Sequence, residues 1–318
     1  MKAAPFAYVR PGSLDDVLSE LARGDAKVLA GGQSLTPVLA MRLGRPSTLV
    51  DITAVGGLAA LERDGDALRI GAAVRQRAVE RSPLSRAVPL LGRALPFVGH
   101  RELRSRGTVC GSLAHADPAA ELPAVAACLG GSVEVAGPGG RRRVPADGFA
   151  TGAMTTAAGP DEVLTAVELP VARPGEGFGF AEVARRHGDF ALAGVVTVVR
   201  VVDGVLREAR LTGFGISDRP VTEDVTELLR ADADASRDGV GGATRFGAGP
   251  VHAAYPADGG PPGADMARRL RQATTELAAR IVDTGGDAHG STGYRRRLFG
   301  VLAARELAAA HARAVETA

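Results

Sequence analysis

The sequence predicts an α+β protein of two domains, and three observations carry that reading. Residues 5–52 alternate short apolar runs with amphipathic segments, strand–helix–strand twice over, as a small α/β module does. Beyond "VARPGEG" the texture changes to "FGFAEVARR" and "FALAGVVTVVRVVDGVLREARLTGFG", runs that read as a smaller antiparallel sheet with helices. The chain has 318 residues, enough for two domains and a sizeable core. The boundary is placed near Gly175, which gives domains 1–175 and 176–318.

Each element follows from local signals. "PFAYVRP" is a short strand ended by proline. "SLDDVLSELARG" is a helix with Ser13 as N-cap and Gly24 as its stop. "AKVLA" reads as a short buried strand and "STLVDI" as another. "LAALERDGDALRIGAAV" is a hairpin turning at Asp64-Gly65. "RQRAVERSPLSRAVPLLGRALPFVG" is helical but interrupted by Pro83, Pro89 and Pro96. "LRSRGTVCGSLAHADPAAELPAVAACLGGSVEVAG" is a loop, a helix and a strand, and "DEVLTAVELP" is a strand ended by Pro170. Residues 231–265, rich in Ala, Gly, Asp and Pro without a period, read as a flexible insertion or surface loop. A helix is expected from Met266 to about Val282, and "DAHGSTGYRRRLFGVLAARELAAAHARA" as a final one.

Composition excludes several functions. No apolar run approaches the ~20 residues of a membrane span. The start "MKAAPFAYVRPGSLDD" lacks the apolar core of a signal peptide, so a soluble, cytoplasmic protein is expected. Net charge is only +2, and the densest basic patch, Arg141 to Arg143, reads as a solvated hairpin. No aromatics interleave with those arginines, so no nucleic-acid partner is expected. Two cysteines, Cys110 and Cys128, are too few for a four-thiolate iron–sulfur cluster. Neither the GxxxxGK[ST] phosphate loop, nor Gly-x-Ser-x-Gly, nor His-Glu-x-x-His occurs.

What remains is a pair of glycine loops. In "AKVLAGGQS", Ala30-Gly31-Gly32-Gln33-Ser34 can turn tightly and present successive N–H groups on one side. Gln33 and Ser34 add side-chain donors, so a pyrophosphate suits the site, although such a loop alone more often serves turn geometry only. "RSRGTVCGSLAHADPAAEL" repeats the chemistry, with Thr, Gly and Ser in a tight turn, then His115, Asp117 and Glu121. Two such loops could hold the two ends of a dinucleotide, with Glu121 accepting hydrogen bonds from ribose hydroxyls. G-x-G-x-x-G is absent, so this is not a Rossmann fingerprint. A metal on His115, Asp117 and Glu121 is disfavoured, and Cys110 reads as small-residue packing rather than a redox thiol.

Both loops, in "AGGQSLTPVLAMRLGRPSTLVDI" and "LRSRGTVCGSLAHADPAAELPAV", resemble the two FAD-binding signatures of the medium, flavin-carrying subunit of molybdenum hydroxylases, the xanthine dehydrogenase and carbon monoxide dehydrogenase family. "PFAYVRPGSLDDVLSELA", "RIGAAVRQRAVE", "RRHGDFALAGV" and "YRRRLFGVLAAREL" are similar to that family in the right order. The resemblance implies a PCMH-type FAD-binding domain, like that of vanillyl-alcohol oxidase relatives, and a C-terminal α/β domain of the carbon monoxide dehydrogenase flavoprotein type. It implies that Val28, Leu29, Ala30, Gly31, Gly32, Gln33, Ser34 and Leu35 wrap the pyrophosphate. Thr108, Val109, Cys110, Gly111 and Ser112, with His115, Asp117 and Glu121, would serve the phosphate, ribose and adenine side. Val98 and Leu164 match positions lining the cofactor, and Phe190 a position, often Tyr, beside the isoalloxazine ring. Cys110 stands where many relatives have glycine.

The function so implied is an electron-transfer flavoprotein subunit with no catalytic side chain of its own. Its partners would be a small subunit with [2Fe–2S] clusters and a large molybdopterin subunit, its acceptor NAD⁺, a quinone or O₂. A stand-alone FAD-dependent oxidoreductase acting on a small organic substrate is the alternative, and a cofactor-free scaffold the remote third.

Overall fold

The computed structural model describes residues 2–230 and 264–318. Helices and strands mix in two compact units, Met1–Ala172 and Arg173–Ala318. Among the described residues no helix is long and apolar enough to cross a membrane.

The first unit opens with a parallel sheet of β1 (Ala7–Val9), β2 (Ala26–Leu29) and β3 (Thr48–Asp51), in the order β1–β3–β2. Helix Leu14–Ala22 crosses from β1 to β2. Ser13 caps it, its Oγ accepting from the Asp16 N–H at 3.1 Å, and Val17 and Leu21 are buried. Central β3 buries Leu49 and Val50. The "AKVLA" segment departs from expectation: β2 is the edge strand, half-buried with Lys27 exposed, because only one neighbour covers it.

The rest of the unit is built on a five-stranded antiparallel sheet. Its strands are β4 (Leu61–Asp64), β5 (Ala67–Gly71), β6 (Ser132–Gly137), β7 (Gly140–Pro145) and β10 (Val163–Pro170), in the order β4–β5–β10–β6–β7. The intervening β8 (Ala150–Gly152) and β9 (Thr155–Thr156) pair with each other. The hairpin turns one residue later than expected, at Gly65-Asp66, where Gly65 has φ +56° and Asp64 still pairs with Ala67. Prolines cut the helical stretch as expected, into helix Gln76–Arg81, 3₁₀ turn Pro83–Ala87, helix Pro89–Ala94 and 3₁₀ turn Leu95–Phe97. The arginine run lies on β7, and each guanidinium meets a carboxylate: Arg141–Glu134 at 2.7 Å, Arg142–Glu162 at 2.6 Å, Arg143–Glu168 at 2.8 Å.

The second unit is a meander of β11 (Glu176–Ala184), β12 (Ala191–Val202), β13 (Val205–Phe214) and β14 (Val221–Asp224), all antiparallel. The long helix Thr292–Thr317 packs on β11 and β12, approaching so closely that a Cβ on Gly177 would stand 2.5 Å from the Ala314 nitrogen. The helix expected from Met266 breaks at Leu270 into Ala264–Arg269 and Arg271–Ile281. The final helix starts later than the sequence suggested, at Thr292, because Ser291 caps it and Asp287–Gly290 forms a turn. Arg295 is buried, donating to the Leu192 and Gly215 carbonyls at 2.7 and 2.9 Å and pairing with Asp287 at 2.7 Å. The expected insertion at 231–265 lies outside the described residues except for its last two, which open a helix.

Candidate functional site

The first glycine loop leaves the C-terminal end of edge strand β2, the end of a parallel sheet where open crevices form. Gly32 has φ +73°, the left-handed conformation glycine adopts without strain. Among the described residues, none of the N–H groups of Gly31, Gly32, Gln33 and Ser34 donates to a backbone carbonyl. The Gln33 Nε2 donates to the Gly31 carbonyl at 3.1 Å, which stiffens the turn, and the Ser34 hydroxyl caps nothing. Gly31 is buried, while Val28, Leu29, Ala30, Gly32, Gln33 and Leu35 are half-buried and Ser34 exposed. Four free donors on a glycine-bent backbone suit an anion.

The second loop lies directly on the first. A Cβ on Gly31 would overlap the Arg106 carbonyl and stand 2.7 Å from the Gly107 Cα, so only glycine allows this approach. A Cβ on Gly111 would stand 2.6 Å from Thr108 Oγ1 and 3.9 Å from the Ala30 Cβ, a second contact between the loops. Thr108 caps helix Val109–His115, its hydroxyl accepting from the Gly111 N–H at 2.9 Å. Cys110 lies in the first turn of that helix, not in a glycine-requiring turn. It is buried, its Sγ donates to the Ile70 carbonyl at 3.3 Å, and burial pushes its thiol up to about 12. Such a thiol is inert packing.

His115 ends the helix and Ala116 follows in the left-handed conformation, φ +51°. The Met154 N–H, on a residue likewise left-handed at φ +55°, donates to the Ala116 carbonyl at 2.9 Å. Strained non-glycine backbone of this kind concentrates at functional sites. Burial holds His115 below the usual histidine value against the pull of Asp117. The Asp117 carboxylate accepts from the Ala119 N–H at 2.8 Å. Glu121 is buried, and burial, reinforced by the Asp117 charge, pushes its carboxyl up to about 7. Near neutral pH it is therefore partly protonated, able to donate as well as accept.

Val98 is half-buried behind the second loop, Leu164 is buried on β10 opposite Val135. Phe190 belongs to the second unit, on the turn between β11 and β12, and is 71% exposed.

The structure adds residues the sequence reading passed over. Gln76 is buried; its N–H donates to the Gly107 carbonyl at 2.8 Å and its Nε2 to the Thr108 carbonyl at 3.3 Å. Arg75 donates to the Arg106 carbonyl. Arg104, also buried, pairs with Glu80 at 3.1 Å and donates to the Val98 and Gly99 carbonyls, both at 3.2 Å. Asp51, at the C-terminal end of β3, accepts from the Tyr8 hydroxyl at 2.5 Å and the Thr53 N–H at 2.8 Å. Burial works against the Asp51 charge, yet these bonds hold its carboxyl below the usual value. The signal for Arg75 and Gln76 was a polar pair directly after the apolar "IGAAV"; Arg104 gave none beyond its place in "LRSRG".

Taken as a donor set, the loops fit FAD: glycine-bent backbone whose approach a Cβ would block, free N–H groups for phosphate oxygens, and carboxyls next in sequence for hydroxyl groups. Residues 4–172 match the family model described as FAD binding domain in molybdopterin dehydrogenase. The chain is 34% identical over 316 residues to the nicotine 6-hydroxylase medium subunit of Paenarthrobacter nicotinovorans, covering 98% of this chain and 100% of that protein. Its fold superposes on carbon monoxide dehydrogenase from Hydrogenophaga pseudoflava with a TM-score of 0.82 and 28% identity, covering 98% of this chain and 99% of that one. Quinoline 2-oxidoreductase from Pseudomonas putida 86 gives a TM-score of 0.81 and 32% identity, covering 99% of each chain.

Proposed function

The chain belongs to the family of FAD-binding domains of molybdopterin dehydrogenases, and from that premise we propose that it is the FAD-carrying electron-transfer subunit of a molybdenum hydroxylase. The observation that carries the reading is the backbone contact of the two glycine loops within a chain similar to medium subunits from end to end.

In this reading Val28 to Leu35 surround the diphosphate, with the Gly31–Ser34 N–H groups as its donors. Thr108 to Ser112 close the other side, and His115, Asp117 and Glu121 face the ribose and adenine. Val98 and Leu164 line the cofactor. Bound FAD supplies the redox chemistry, passing electrons from a donor to an external acceptor. The chain orients it and excludes water, and needs no nucleophile or general base of its own.

The partners are a small subunit carrying [2Fe–2S] clusters, which delivers the electrons, and a large molybdopterin subunit, which oxidises the substrate. The complex is cytoplasmic. Co-expression with its neighbouring chains followed by gel filtration tests the proposal. A yellow complex containing FAD, iron and molybdenum is expected; a monomeric chain without flavin would overturn it.

A further inference from the structure

We propose that Arg75 is a positioning residue for the cofactor: its guanidinium holds the second glycine loop at the carbonyl on which the first loop packs and, with Arg106, presents positive charge to the diphosphate held there. The inference rests on the cofactor reading above.

The geometry is that of a clamp. Arg75 donates through its guanidinium to the Arg106 carbonyl, and this is the carbonyl on which Gly31 packs. The backbone of Arg75 bridges that of Thr108 in antiparallel fashion, and the next residue, Gln76, donates to the Gly107 carbonyl at 2.8 Å. Arg75 therefore reaches from the start of helix Gln76–Arg81 to the seam between the loops.

The charge is left over. Three other arginines of this unit that are likewise not exposed sit on carboxylates, Arg77 and Arg104 on Glu80 and Arg69 on Glu134. Among the described residues Arg75 has no such ion pair; partial burial weakens its charged form first and the Arg106 charge second, with Asp51 opposing from a distance. A half-desolvated guanidinium beside a second one calls for an anion. The carbonyl that Arg75 holds is the one on which Gly31 packs, and the free N–H groups that run from Gly31 to Ser34 call for the same ligand. The chemistry that satisfies both is a diphosphate.

The test uses the full-length chain stripped of flavin, titrated with FAD and with FMN, which lacks the diphosphate bridge, and followed by flavin fluorescence. Arg106→Gln removes one charge and leaves the clamp, whose acceptor is a backbone carbonyl. Arg75→Gln removes both, and Arg75→Lys keeps the charge. Arg106→Gln should weaken FAD by about five-fold and Arg75→Gln by about ten-fold or more, with Arg75→Lys between wild type and Arg75→Gln. Added salt should shrink the Arg106→Gln effect, and FMN should be nearly indifferent to it. FAD affinities within two-fold of wild type, or equal losses for FAD and FMN, would overturn the inference. If Arg75→Gln does not fold, Arg106→Gln decides alone. Wild-type protein that binds no FAD would instead overturn the cofactor reading itself.

Discussion

Gly31 and Gly107 meet backbone to backbone: a Cβ on Gly31 would stand 2.7 Å from the Gly107 Cα and overlap the Arg106 carbonyl before it. Neither obstacle is a flexible side-chain end. Gly31→Ala must therefore push the loops apart, at a cost of about 1–3 kcal/mol. Thermal unfolding should show that loss, and FAD retention through gel filtration should fall sharply. Wild-type melting and flavin content would contradict the contact.

Arg104 and Glu80 hold the 96–99 segment from behind. The guanidinium is buried and makes two bonds to the carboxylate, 3.1 and 3.2 Å, besides those to the Val98 and Gly99 carbonyls. Glu80→Ala leaves this cation uncompensated and should cost about 3 kcal/mol by chemical denaturation. A change below about 0.5 kcal/mol, as surface sites give, would show that the pair carries no load.

Glu121 gives stability a pH dependence of definite sign. Its carboxyl, at about 7 when folded against an ordinary 4.5, favours the protonated form in the folded state. The unfolded chain loses that proton first, so stability falls as pH rises from about 4.5 to about 7 and levels off above. The full effect is on the order of 3 kcal/mol. Glu121→Gln, neutral throughout, should remove this component, read as the difference between the two proteins' melting temperatures across that range. Parallel profiles would contradict the assignment.

Both cysteines are buried, and burial pushes the Cys110 thiol up to about 12. An aromatic disulfide reagent at pH 8 should label neither in the folded protein and both after denaturation. Rapid labelling of the native chain would show that the helix carrying Cys110 opens.

Signals confined to a few residues were legible. The hairpin turn, displaced by only one residue to Gly65-Asp66, the Ser13 cap, the proline breaks and the two glycine loops each rest on local backbone preference, which a sequence displays directly. Pairings across the chain were not. That β2 is an edge strand depends on its single neighbour β3, and that Arg295 is buried depends on the carbonyls of Leu192 and Gly215, far away in sequence. Arg75 and Arg104 act through carbonyls in other segments, and an arginine's letter does not say whether its head is solvated. The loops' chemistry could be read; their contact, which depends on Gly31 meeting Gly107, came only with the fold.

The most direct measurement is a crystal structure of the chain purified with FAD. The account predicts diphosphate oxygens about 3 Å from the N–H groups of Gly31 to Ser34 on one side and from the Thr108–Ser112 segment on the other. A flavin bound elsewhere, or a diphosphate touching only one of the two loops, would contradict it.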